Sequence, residues 1–270
     1  MKKLSIYFIC LMLLIAACKS NNSKKSIDPS EKPQKDFIVY TLKDEKSFDK
    51  QMMEIDSFVL AYGKFASSLD YGKEDKTTIH VDAHLDNEEN IVKLVENFTD
   101  KDATSMGTNS FYLHDGKVFV SKEIFATNTS ADFTERISYY APNGICLKSK
   151  ERTAVSEATL LKAKFAAVPK TACSIDQAMR ALNSEKEFAT TFQGFIASGK
   201  DSYMIVGTPG AGGFTSALKI KKEDKFIAEI RKDELRYLNG TIYLQFEKIE
   251  EVGGFTYQSL IKGSWTKEGL

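Results

Sequence analysis

Tryptophan occurs once in these 270 residues, histidine three times, cysteine four times and proline five times. Four cysteines are too few for a disulfide scaffold. With so little proline and only 16 glycines, collagen-like and low-complexity chains are excluded. An excess of one charge is also lacking, since 37 Lys and Arg face 37 Asp and Glu. Such a balance leaves no electrostatic footprint for nucleic acid, and no nucleic-acid partner is expected. There is no Gly-x-Ser-x-Gly elbow for a hydrolytic serine. Carboxylates are too common to single out a catalytic pair, and nothing calls for a cofactor. What is present is core material: 42% of the chain is hydrophobic, including 18 Phe and 11 Tyr. That excludes global disorder and leaves room for one large or two modest folded units.

The N-terminus carries the sharpest signal. Lys2 and Lys3 precede an almost continuous apolar run from Leu4 to Ile15. This has the length of a signal-peptide core and is too short to span a bilayer. Ile15-Ala16-Ala17-Cys18 then resembles the bacterial lipobox. The resemblance implies that residues 1–17 are a cleaved signal peptide and that Cys18 becomes the acylated first residue. Palmitate-type chains would then hold the protein on a membrane, each buried CH₂ contributing about 0.8 kcal/mol. No later stretch is apolar enough to cross, so the expectation is an anchored chain rather than an integral one.

Residues 19–36 contain five Lys, two Pro and a single large aliphatic residue, Ile27. Such a segment cannot bury surface and is expected to act as a disordered tether. In some bacterial groups, surface-exported lipoproteins carry acidic residues just after the cysteine. The Lys/Asn/Ser-rich start here points instead to a periplasm-facing site on the outer membrane. Loss of Lys2 and Lys3 leaves 35 basic against 37 acidic residues, a net charge near −2.

The body reads as α+β. Phe37–Leu42 is a candidate first strand. Phe48, Met52, Ile55, Val59 and Tyr62 recur at helical spacing and predict a helix over Ser47–Gly63, with Ser47 as N-cap. From Thr77 the period drops to two, with Ile79, Val81, Ala83 and Leu85 on one face. Ile91–Phe98 reads as the returning strand. Asp115-Gly116 and Pro142-Asn143-Gly144 each join two further strands. An antiparallel meander packed on a helix is therefore expected over residues 37–152. Residues 153–200 read as a helical segment, with helices over Thr153–Val168 and Ser174–Ser198. Residues 201–270 read as a second, small β-rich unit with a helix near Lys222–Lys232.

The two hairpins share a form. Phe111-Tyr112-Leu113-His114-Asp115-Gly116 and Tyr139-Tyr140-Ala141-Pro142-Asn143-Gly144 are both an aromatic pair, two residues, then Asp or Asn and Gly. This resembles the YYxxNG strands of uncharacterised periplasmic lipoproteins, in which a helix packs on a curved meander. The resemblance covers residues 47–150 and implies a fold rather than an activity.

Four features are candidates for chemistry. Gly207, Gly210, Gly212 and Gly213 form a Gly-rich loop, but the Gly-Lys-Ser/Thr ending of a phosphate loop is missing. A ligand-contacting lip is the most it offers. His80, Asp82 and His84 share the polar face of one strand and are potential Zn²⁺ ligands. Alternate residues stand about 6.6–6.8 Å apart and His80 and His84 about 13 Å apart, so a third ligand from another strand would be needed. Cys146 and Cys173 are the only thiols left after processing; either they pair or they are separate buried thiols. A concave aromatic face could take a peptide, glycan or apolar ligand.

The reading these features favour is a lipid-anchored envelope protein that binds a small molecule or another protein without catalysis. The rivals are a metal-dependent or hydrolytic envelope enzyme using the His80/Asp82/His84 face, and an assembly subunit docking through a sheet edge.

Overall fold

The structure is a computed structural model that describes residues 41–127, 132–210 and 212–270. All of these fall in one compact unit. The signal peptide, Cys18, the tether and the first part of the candidate strand Phe37–Leu42 lie outside the described residues.

The protein is mixed α and β, built around a large antiparallel sheet. Helix α1 (Glu45–Tyr62) comes first. Its N-cap is Asp44, not Ser47 as expected from the sequence. Ser47 is three residues on and completes a capping box: its N–H donates to Asp44 Oδ1 at 2.9 Å, and its Oγ accepts from the Asp44 N–H at 3.0 Å. Helical spacing gives the face but not the cap, because both residues are good caps.

Next come β1 (Lys64–Ser67), β2 (Tyr71–Gly72), β3 (Thr78–Leu85), β4 (Ile91–Thr99), β5 (Ser105–His114), β6 (Lys117–Thr127), β7 (Phe133–Tyr140) and β8 (Cys146–Ala154). Strands β3 to β8 pair in sequence order, each antiparallel to the last. Both turn residues after β5, Asp115 at φ 50° and Gly116 at φ 71°, are left-handed, which a tight type I′ hairpin requires.

The expected helices over 153–168 and 174–198 are corrected. Only the short α2 (Glu157–Leu160), α3 (Asp176–Leu182) and a 3₁₀ turn over Lys186–Phe188 are helical there, with β9 (Ala166–Val168) between α2 and α3. Residues Thr191–Ser198, with Phe192 and Phe195, form β10 instead. Pairing with β11 (Asp201–Gly207) overrides a helical spacing that rests on few apolar positions. The chain ends with β12 (Thr215–Ile220), α4 (Lys225–Lys232), α5 (Glu234–Tyr237), β13 (Tyr243–Glu250) and β14 (Thr256–Ser264).

Strand order is β10-β11-β12-β2-β3-β4-β5-β6-β7-β8-β9, with β1 also on β3 and the β13–β14 hairpin joined to β12. Both faces are covered. Helix α1 packs Phe48 and Ile55 against Val92, Tyr112, Val120, Ile137 and Tyr139. On the opposite face, Val81, Ala83, Leu94 and Phe111 share a core with Ala178 and Ala181 of α3. Phe192, Met204, Leu218, Ile227 and Ile230 belong to that same core. Strands before residue 153 and after residue 200 thus share one sheet and one core.

Candidate functional site

The sheet is weakest where β2 meets β12. A single residue pair, Gly72 with Thr215, joins them. The edge beside β3 is also interrupted, because Ser68–Asp70 separates β1 from β2. The Gln258 side chain from β14 replaces the missing ladder there. It accepts from the Asp70 N–H at 2.8 Å and donates to the Ser68 carbonyl at 3.0 Å. A buried amide with both ends bonded holds the break in a fixed shape.

That break brings Asp70 to His80. The imidazole is buried, its Nδ1 2.8 Å from Asp70 Oδ1 and its Nε2 3.1 Å from Asp82 Oδ1. The Asp70 contact is an ion pair without hydrogen-bond alignment. Ser67 in turn donates to Asp82. Burial alone pushes the His80 pKa down, but Asp70 and Asp82 outweigh it and raise it to about 9. His80 is therefore an imidazolium at neutral pH, clamped on both nitrogens. Burial opposes ionisation of Asp82, and hydrogen bonds from His80 and Ser67 override it, so its pKa is lowered.

Beside this clamp lies an open cleft of about 560 Å³. Asp70, His80, Asn97 and Thr99 line one side, and Ile205 and Thr215 the other. Its walls come from both halves of the chain, and the half-exposed Asp70 gives it a carboxylate.

The expected ligand set His80, Asp82 and His84 is only partly brought together. His80 and Asp82 bond to each other, and His84 is paired across the strands with Lys93. Burial and the Lys93 charge lower the His84 pKa. Among the described residues, no group of three or more His, Cys, Asp or Glu is arranged to hold a metal ion. Both His80 nitrogens face carboxylates, Asp70 and Asp82.

The Gly-rich loop is largely satisfied from within. The N–H groups of Thr208, Gly213 and Phe214 donate to the carbonyls of Phe214, Gly210 and Glu187. Gly207 ends β11 at φ 147°, with Phe214 O 2.2 Å from where a Cβ would stand. Gly210 and Gly212 are also left-handed, at φ 94° and 97°. The N–H groups of Thr208, Gly213 and Phe214 are thus already committed and do not point to a phosphate cradle.

Cys146 and Cys173 are both free thiols. Cys146 Sγ lies 3.4 Å from Ser149 Oγ. Burial pushes the Cys173 thiol up to about 11, partly offset by a hydrogen bond with Tyr140. The aromatic residues serve mainly as core: Phe111, Tyr112, Phe119, Tyr139 and Tyr140 are all buried.

Asp70 and Ser67 have no sequence signal linking them to His80. They reach it only through the strand break, and no periodicity marks that. Comparison with protein-family models, with curated proteins and with solved structures finds no match to this chain.

Proposed function

We propose that this chain is a lipid-anchored protein of the bacterial envelope, on the periplasmic side of the outer membrane, whose body binds a ligand or partner without transforming it. Anchoring is supported by the apolar run Leu4–Ile15 and the Ile-Ala-Ala-Cys that follows it. Among the described residues, no helix is long and apolar enough to cross a membrane.

The observation that carries the binding reading is the His80 clamp beside the open cleft. A general base needs a free nitrogen and a pKa near the working pH. His80 is charged and held on both sides, so it acts as a rigid wall element. In this reading the helix-packed meander is the platform, and the strands after residue 200 supply the second wall. Asp70, Asn97, Thr99 and Thr215 supply hydrogen-bonding groups, and Ile205 an apolar contact, a mixture suited to a polar small molecule or an extended peptide.

Two measurements test this. Mass spectrometry of the chain extracted from envelopes should find acylated Cys18 as the first residue, and Cys18→Ala should leave the chain unanchored. Metal analysis of the same material should find less than about one-tenth equivalent of Zn²⁺; a stoichiometric ion would support the metal-dependent enzyme instead.

A further inference from the structure

Helix α1 carries four acids and two lysines: Glu45, Asp49, Glu54, Asp56, Lys46 and Lys50. Composition alone makes it acidic. The structure sorts these charges by face. Glu45 bonds Lys148 and Lys150 of β8. Asp49 accepts from the Tyr139 hydroxyl, and Asp56 from the Tyr112 hydroxyl and Lys93. Three of the four acids thus face the sheet.

The outward stripe is what remains. Lys46, Lys50, Met53, Ser57 and Leu60 follow at spacings of four, three, four and three, and all are exposed. Met53 is 66% exposed and Leu60 90%. Phe65 of β1, 69% exposed, pairs with His84, which pairs with Lys93 beneath α1. Paired residues share a face, so Phe65 stands on the side of the sheet that carries α1. The stripe is basic at the N-terminal end of the helix and apolar at the other, with Glu54, four residues after Lys50, at its border.

From this we infer that the outer face of α1, with Phe65, lies on the bilayer surface and sets the orientation of the anchored body. This rests on the lipid-anchor reading above. The occupant is a bilayer with anionic headgroups: lysines meet the headgroups while Met53, Leu60 and Phe65 enter the interface. Continuity with the anchor favours it, because α1 is the first described element after Cys18. The 22 intervening residues, 19–40, reach roughly 70 Å when extended, ample to lay a helix about 27 Å long flat on the surface. Val252 and Phe255, an exposed apolar pair in the β13–β14 turn, are instead flanked by Glu250 and Glu251, which the same surface repels.

The test uses the full acylated chain in vesicles of phosphatidylcholine with a minority of phosphatidylglycerol. Cys146→Ser and Cys173→Ser remove the body thiols. Leu60→Cys or Met53→Cys then carries a fluorophore, with Val252→Cys as the reference position. Both α1 sites are exposed, so labelling leaves the core intact. A quencher on the lipid tails should dim the label at 60 or 53 at least about twofold more than at 252. Lys46→Glu with Lys50→Glu should abolish that difference. Equal quenching at 60 and 252 on vesicle-bound protein overturns the inference. So does self-association through the stripe, read as energy transfer between labels at position 60. Failure of the anchor itself is separate: the chain then lacks acylated Cys18 and does not sediment with vesicles.

Discussion

The Tyr139 hydroxyl donates to Asp49 Oδ1 at 2.7 Å, joining β7 to a helix 90 residues earlier. Tyr112 does the same to Asp56, at 3.1 Å to each carboxylate oxygen. Both tyrosine rings are buried, and each hydroxyl donates to its acid. Burial first, then the facing carboxylates, raise both phenol pKa values above the usual range. Asp49→Ala should remove the bonded acceptor of the Tyr139 hydroxyl and cost about 1–2 kcal/mol. The urea midpoint is the readout. Tyr139→Phe should cost less than Asp49→Ala, because the half-exposed carboxylate can turn to water. The reverse order would show that the pair does not hold α1.

Gly263 of β14 is where α4 lands. A Cβ there would stand 2.2 Å from Phe226 Cε1. The Phe226 ring is 5.0 Å from Trp265, which stacks on Tyr237 at 4.7 Å. Gly263→Ala must displace Phe226, at a cost of about 1–3 kcal/mol for overpacking. Trp265 is the only tryptophan, so its emission reports the shift without a probe. Unchanged emission and an unchanged urea midpoint would count against this packing.

The two body thiols give a further check. Burial raises Cys173 from a reference near 9 to about 11, cutting its thiolate fraction at pH 7.5 about a hundredfold. In a Cys146→Ser background, iodoacetamide should alkylate Cys173 about a hundredfold more slowly in the native chain than in urea. Wild-type protein should yield two labelled cysteines in the body in urea without reductant. If labelling there requires reductant, the pair is a disulfide and the free-thiol description fails.

Legibility in the sequence followed the range of the interactions. Strands β3 to β8 were readable because strict alternation and Asp-Gly or Asn-Gly turns act over a few residues. The apolar face of α1 was readable for the same reason. Residues Thr191–Ser198 were not, because Phe192 and Phe195 fit either period and pairing with β11 decides between them. The site was half visible: His80 and Asp82 stood out on one strand, suggesting ligands. Asp70 turned that suggestion into a clamp. It arrives through a strand break stabilised by Gln258, 188 residues further on, which no local pattern encodes.

The clamp also sets a pH window. The His80 pKa is raised in the folded chain to about 9, from 6.5. A raised pKa means that the folded state holds the proton more tightly than the unfolded state. The resulting stability is complete below pH 6.5 and is lost as pH rises through 9. The full shift corresponds to ~3 kcal/mol. Asp70 is half exposed, and solvent screening reduces the expected loss to ~1–2 kcal/mol. The lowered pKa of Asp82 gives the opposite limb: its share is lost as pH falls below its unfolded value near 4. Both limbs describe one ion pair, so they do not add. Urea midpoints measured from pH 6 to pH 9.5 should fall for the wild type. His80→Gln should start lower at pH 6 and stay nearly flat over the same range. A wild-type midpoint that holds steady to pH 9.5 would mean that His80 is not charged in the fold. The imidazole would then be free to act as a base, and the case for a binding cleft over a catalytic one would fall with it.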